Sequence, residues 1–270
     1  MFDFTGKTAV ITGLGGALGG HIATALFKAG AQVALWDIAP EAAQRQAQSM
    51  DPEGSGRTLP LACDAISKDS VGQALEQTLE RFESVDLLVN AAGGSHPSTT
   101  TNEELTFFDI KSDDIRFVMD LNYLATVIPC QAVGRVFAQQ NSGAVVNITS
   151  IGGSAPLSRA LAYSNGKGAA DNFTRWLAVH MAQEYDPAIR VNAIAPGFML
   201  TQQNRFLLVD EDSGDLTARG QSILGSVPMA RFGEPPEVVG AVLWLLSDQA
   251  TFVTGAIVPI DGGYTAFAGV

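Results

Sequence analysis

The chain alternates short runs of consecutive apolar residues with longer stretches whose apolar positions recur every three or four residues. Runs at 8–12, 33–36, 58–63, 85–90, 144–149, 190–194 and 256–260 read as strands. Within them AVI, VALW, LLV and AVVNI are apolar on successive positions, the pattern of strands covered on both faces. The stretches between have helical periodicity, and strands that alternate with helices build a parallel sheet with helices on both sides. The expected fold is α/β: one doubly wound parallel sheet of seven strands, with no repeat, linker or low-complexity segment to divide residues 1–270.

Two helical stretches are apolar around more of their circumference than one sheet face can cover. One, 162–185, carries Ala169, Ala170, Phe173, Trp176, Leu177, Ala178, Val179, Met181 and Ala182; the other, around 117–137, is similar. A partner helix or a covering loop would bury the surplus.

Sixteen Lys and Arg stand against 28 Asp and Glu, a net charge of −12. That balance argues against a nucleic-acid or anionic-membrane partner. No apolar run approaches the ~18–20 residues of a membrane span. The first residues, MFDFTGK, lead into a strand instead of a basic segment and an apolar leader, so a cytoplasmic protein is expected. Cys63 and Cys130 lie in apolar surroundings and read as buried thiols, and His21, His96 and His180 lack metal-ligand spacing, so no metal is expected.

The first strand runs into TGLGGALGG and then a helix. Gly13, Gly15, Gly16 and Gly19 let the turn tighten and the backbone approach a diphosphate at the helix N-terminus, as in Rossmann-type folds. Asp37, at the end of the second strand, can accept bonds from ribose hydroxyls and would repel a 2′-phosphate. Ile38 and Ala39 offer no cation to such a phosphate, so NAD is favoured over NADP; Asp37 as a strand-end cap is the alternative.

Further on, ITSIGGSAPLSRALAYSNGK sets Ser150, Tyr163 and Lys167 within a strand, a loop and a helix. Tyr163 and Lys167 share a helical face, where an ammonium favours a phenolate and would draw the phenol from ~10 toward neutrality. Ser150 can bond a substrate oxygen. Such a set moves a proton on or off an alcohol or carbonyl, whereas the Tyr–Lys pair taken alone is equally an ordinary amphipathic pair.

With these residues the chain resembles the short-chain dehydrogenase/reductase family along essentially its whole length. The family's TGxxxGxG appears as Thr12, Gly13, Leu14, Gly15, Gly16, Ala17, Leu18 and Gly19, with Ala17 in place of a glycine. The resemblance assigns Asp64, with Ala65 beside it, to adenine contact, and Asn90, Ala91, Ala92 and Gly93 to the NAAG element near the cofactor. It makes Asn122, Ser150, Tyr163 and Lys167 the catalytic tetrad, and lays Pro196, Gly197, Met199 and Thr201 along the nicotinamide. By the same resemblance Ser150 orients the substrate oxygen, Tyr163 moves its proton, Lys167 lowers the tyrosine pKa and bonds the nicotinamide ribose, and Asn122 holds a relay water. The cofactor half would span about 1–150 and the catalytic and substrate half 151–270. The family is usually a homotetramer in which the two very apolar helices pair.

Substrate choice belongs to the loops at the carboxyl edge of the sheet. The long polar loop 93–110 and the segment 198–231 are candidates, the latter as a lid, with the acidic tip 210–215 read as a solvated loop. Thr201, Gln202, Gln203, Asn204 and Arg205 offer amides for hydroxyls and one guanidinium for a carboxylate, which suits a polyhydroxy acid. Arg205 as a surface residue that begins a helix, and His96 as an exposed loop histidine instead of a substrate contact, remain open. Within the family the blocks GGSHP, TTTNEE, NFTRWLAV, APGFMLTQQNR and PMARFGEP resemble the bacterial D-mannonate oxidoreductase (fructuronate reductase) group, which implies fructuronate–mannonate interconversion with NADH. The alternatives are another substrate (a neutral sugar, a gluconate-type acid, a 3-oxoacyl or ring ketone) and a non-catalytic NAD-sensing protein.

Overall fold

The structure, a computed structural model, describes residues 2–201, 204–210 and 213–269. Its strands are β1 (Thr8–Thr12), β2 (Gln32–Asp37), β3 (Thr58–Ala62), β4 (Leu87–Asn90), β5 (Gly143–Ile148), β6 (Ile189–Pro196) and β7 (Ile257–Ile260). They form one sheet in the order β3-β2-β1-β4-β5-β6-β7, and every neighbouring pair is parallel. The expected architecture is the observed one.

Around the sheet lie α1 (Gly19–Lys28), α2 (Pro40–Met50), α3 (Lys68–Phe82), α4 (Ser112–Asn122), α5 (Leu124–Gln140), α6 (Leu161–Glu184), α7 (Arg205–Leu208), α8 (Ala218–Leu224) and α9 (Val239–Leu246). Ile11, Leu35, Val89 and Val146 pack into one core with Ile22, Leu26, Ala43 and Leu245 of α1, α2 and α9. Their chain neighbours Val10, Trp36, Leu88 and Val145 point the other way, into a core with Val71, Val133, Phe137 and Leu177 of α3, α5 and α6. Two cores, one per face, are why the strands are apolar on consecutive residues.

The helix expected around 117–137 is two helices, broken at Tyr123. There the backbone turns to φ −104° and ψ −58°, and the N–H groups of Thr126 and Val127 both reach the Tyr123 carbonyl at 3.0 Å. The Tyr123 ring packs edge-on against Phe173 at 6.1 Å, which fastens the break to α6. Pro129, the one residue there without an N–H, lies inside α5 instead.

At the carboxyl edge the loop 93–110 is stitched to the segment before α6 by a bridge between Thr100 and Ala160 and a 3.0 Å bond from Thr101 N to the Arg159 carbonyl. The segment 198–231 carries α7 and α8 and, with the adjoining Phe232, forms a small core of Leu208, Val209 and Phe232 with Phe198, Leu200 and Leu216 packed around it. Among the described residues no helix is long and apolar enough to cross a membrane, and no group of His, Cys, Asp and Glu is arranged to hold a metal. Cys63 and Cys130 are free and buried, and burial pushes each thiol up to about 12.

Candidate active site

β1 delivers the chain into the glycine turn. Gly13 has φ +73°, and a Cβ there would stand 2.5 Å from Ala92 N; a Cβ on Gly19 would stand 2.6 Å from the Gly13 carbonyl. Those two positions need glycine. Beside Gly15 and Gly16 there is room, with nothing nearer than 3.6 and 3.4 Å to a Cβ, although their N–H groups are already bonded, Gly15 N to Asp37 and Gly16 N to the Gly13 carbonyl. Ala17 sits half-buried in the turn before α1 begins. The N-cap of α1, Leu18, makes no side-chain capping bond, and the first turn holds no acidic residue, so the helix end keeps its N–H groups and positive potential for an anion.

Asp37 is buried beside that turn. Its carboxylate accepts bonds from Gly15 N at 2.7 Å and Ala39 N at 2.8 Å, while Ile38 is exposed. It both caps the strand end and stands at the glycine turn, so the two readings describe one residue. Asp64 is part-buried at the end of the segment after β3 and accepts from Ile66 N at 3.1 Å, with Ala65 between them.

The NAAG element is held from both sides. Thr12 Oγ1 accepts from Ala91 N at 3.1 Å and Ala92 N at 3.2 Å. Asn90 Nδ2 donates to Asn147 Oδ1 at 2.9 Å and to Cys130 Sγ at 3.2 Å, and Asn147 Nδ2 donates to Thr174 Oγ1 at 2.8 Å. This ladder ties β4 and β5 to α5 and α6 beneath the site. Gly93 then brings its Cα so close that a Cβ would lie 2.9 Å from Asn122 Oδ1 and 3.0 Å from Lys167 Nζ.

Asn122, Ser150, Tyr163 and Lys167 converge there. Asn122 Nδ2 donates to the Gly94 carbonyl at 2.8 Å and its Oδ1 accepts from Gly94 N at 3.1 Å, so it clamps the start of the loop. Ser150, buried just beyond β5, accepts from Gly152 N at 3.0 Å. Lys167 is buried, donates from Nζ to the Ile148 carbonyl at 2.8 Å, and has Nζ 5.9 Å from the Tyr163 ring centroid.

Electrostatics correct one expectation. Tyr163 is pushed above its ordinary value, because burial outweighs the hydrogen bond from Ser150 that opposes it. Lys167 does not draw the phenol down in this state. It is itself depressed by burial to about 8, with Asp171 pulling the other way. The reason is common to both: each charged form has lost its water.

The nicotinamide-side segment is also built by close approach. A Cβ on Gly197 would lie 2.7 Å from Asp261 Cα, and Gly197 N donates to the Ile260 carbonyl at 2.9 Å, which seats Pro196 and Gly197 against β7. Met199 is buried and bridges to Gly233. Thr201 N donates to Asn204 Oδ1 at 2.8 Å and Asn204 Nδ2 to the Met199 carbonyl at 2.8 Å. Asn204 therefore spends both ends of its amide on the turn, where the sequence suggested a substrate contact. Gln202 and Gln203 lie outside the described residues.

Arg205 opens α7, is exposed, and its guanidinium meets no partner among the described residues. His96 is exposed in the loop 93–110; its Nδ1 pairs with Ser98 Oγ at 2.8 Å and its ring packs edge-on to Phe117 at 5.7 Å. The residues that sequence reading missed are the supports: Asn147 and Thr174, whose signal was polarity inside apolar elements, and Gly166, where a Cβ would lie 2.8 Å from Asn122 Cβ.

The family model described as enoyl-(acyl carrier protein) reductase matches residues 13–265. The chain belongs to the short-chain dehydrogenase/reductase family. Within that family of oxidoreductases it is 38% identical to an uncharacterized oxidoreductase, UxuB, of Bacillus subtilis, over 99% of this chain and 98% of the relative. A crystal structure from Haemophilus influenza, described as a candidate D-mannonate oxidoreductase with bound NAD, is similar over 100% of this chain and 98% of its own, at 36% identity and TM-score 0.93. An NAD+-bound xylitol dehydrogenase is similar over 96% of this chain and 99% of its own, at 32% identity and TM-score 0.84. The short-chain dehydrogenase/reductase assignment makes the protein an enzyme acting on an alcohol or ketone, in agreement with the four converging side chains.

Proposed function

We propose that this oxidoreductase uses NAD(H) to interconvert the ketone and secondary alcohol of a sugar acid, of the D-fructuronate and D-mannonate type. The observation that carries the reading is the whole-chain similarity to the NAD-bound Haemophilus structure. The chain's own residues fit the dinucleotide. The room beside Gly15 and Gly16 and the α1 N-terminus without a side-chain cap suit its diphosphate, and the Asp37 carboxylate beside the turn suits ribose hydroxyls and repels a 2′-phosphate, so NAD is preferred to NADP. When bound, the dinucleotide would supply the hydride donor or acceptor for the substrate carbon and, in its oxidised form, a positive charge in the site.

Ser150 holds the substrate oxygen, and Tyr163 gives that oxygen a proton in reduction and removes it in oxidation. Lys167 supplies positive charge beside the phenol, and Asn122 fixes the loop that borders them. Residues 198–231 close over the substrate, and Arg205, whose guanidinium meets no partner among the described residues, takes the carboxylate. His96, exposed in the loop 93–110, is a secondary contact. The exposed apolar surface of α6, with Trp176 stacked on His180 at 4.7 Å, packs on its copy in a cytoplasmic homotetramer.

The test is NADH oxidation with D-fructuronate beside neutral keto-sugars. Tyr163→Phe should lose about 10²- to 10⁴-fold in kcat, and Arg205→Met should raise KM for the acid about 10- to 100-fold while leaving neutral ketones unaffected. Turnover of neutral ketones alone would refute the sugar-acid reading. A neutral polyol is the second reading, favoured by the xylitol dehydrogenase similarity and by the internal use of the Asn204 amide.

A further inference from the structure

Behind the catalytic lysine lies a carboxylate that the proposed reaction does not use. Asp171 sits one helical turn beyond Lys167 on α6, and each is only 5% exposed. Its Oδ1 is fully buried and has no hydrogen-bond partner, and a Cβ on Gly153 would stand 2.7 Å from its Oδ2, so the group is pressed against the turn that follows Ser150. A buried carboxylate with an empty acceptor is costly unless its charge is answered.

The charges that answer it are few. On α6, Lys167 lies one turn before it and the exposed Arg175 one turn after; just beyond β5 the Thr149 hydroxyl donates to the Ile194 carbonyl at 3.0 Å; the turn around Gly153 brings no charge. For Lys167 the position is the mirror image. Its hydrogen-bond acceptor is the neutral Ile148 carbonyl, and Asp171 is the charge that favours its ammonium form. An uncompensated buried ammonium gives up its proton, and a neutral amine could not hold a phenolate in its place.

We propose that Asp171 is a positioning residue, the buried counter-charge that keeps Lys167 protonated and so available to Tyr163. It acts through Lys167 and touches neither substrate nor cofactor. The inference builds on the proposed proton-transfer role of Lys167, but its first readout needs no substrate.

The chain has five lysines, so ¹³Cε-lysine NMR of the intact protein is simple, and the Lys167 signal is the one Lys167→Met removes. In Asp171→Asn its titration midpoint should fall by about one unit or more from that of the unsubstituted protein. Asp171→Val, which removes the charge without leaving a buried amide, should do the same, and it serves if the Asn variant folds poorly. With NADH and D-fructuronate, the alkaline limb of the kcat/KM profile should move down in parallel, while Asp171→Glu should restore both values toward normal. An unmoved midpoint in the charge-free variants overturns the proposal, as does a moved midpoint with an unmoved limb. If D-fructuronate is not turned over at all, the sugar-acid reading fails separately, and the NMR midpoint still decides the role of Asp171.

Discussion

Gly166 stands between Tyr163 and Lys167 on α6, and its lack of a side chain is what lets α4 deliver Asn122. A Cβ built there lies 2.8 Å from Asn122 Cβ and 3.8 Å from Met119 Cα. Ordinary carbon contacts fall at about 3.5–4.0 Å, so Gly166→Ala must push the end of α4 away by roughly 1 Å. Asn122 holds Gly94 by bonds of 2.8 and 3.1 Å, and a shift of that size breaks at least one of them. Overpacking costs about 1–3 kcal/mol, and alanine regains about 1 kcal/mol of helix propensity over glycine. The net loss of stability in urea unfolding should therefore be about 0–2 kcal/mol. The kinetic loss should be far larger, about 100-fold in kcat, because a misplacement of about 1 Å in a catalytic set costs that much. Cofactor affinity, followed by NADH fluorescence, should change little. A Gly166→Ala enzyme that is stable and retains kcat would show that Asn122 need not sit where the structure holds it.

Other substitutions read other parts of the site. Asp37→Ala with Ile38→Arg removes the carboxylate that receives Gly15 N and adds a cation at an exposed position; the NADP-to-NAD ratio of kcat/KM should rise at least about tenfold. Lys167 falls from 10.5 unfolded to about 8 folded, so between those values the unfolded chain holds more protons and stability rises with pH. Compared with Lys167→Met, the unsubstituted protein should gain up to about 3 kcal/mol in chemical denaturation from pH 8 to pH 10.5. A constant difference between the two across that range would contradict the depressed lysine. If the proposed homotetramer forms through α6, Trp176→Glu, at a residue 56% exposed, should lower the mass measured by light scattering relative to the unsubstituted protein.

The sheet was readable because its inner strands feed two cores. Val10 and Ile11, or Val145 and Val146, must both be apolar, and a run of that kind is hard to produce otherwise. The candidate set Ser150, Tyr163 and Lys167, which the structure brings together, was readable because a Ser, a Tyr and a Lys at that spacing are rare together. The break at Tyr123 was hidden, since the only breaker nearby, Pro129, is absorbed inside α5. The fate of Asn204 was hidden too: its amide closes on Thr201 and Met199 by a local turn that spacing alone does not reveal. Gly166 and Asp171 carry no motif of their own, and their roles exist only because α4 and the turn at Gly153 arrive from distant parts of the chain. The direction of the Tyr163 shift depended on burial, which a list of neighbours does not supply.

The strand order has a meaning in time as well as in space. Once β4 has returned to lie beside β1, β5, β6 and β7 each join the edge left by the strand made just before. A chain leaving the ribosome can thus extend its sheet outward in the order of translation, without reopening any ladder already closed. The last piece is the four-residue β7, whose partner β6 is twice its length. Until β7 docks, that flank of β6 is an unpaired edge, and a nascent protein that has made β6 but not yet docked β7 is open to mispairing there.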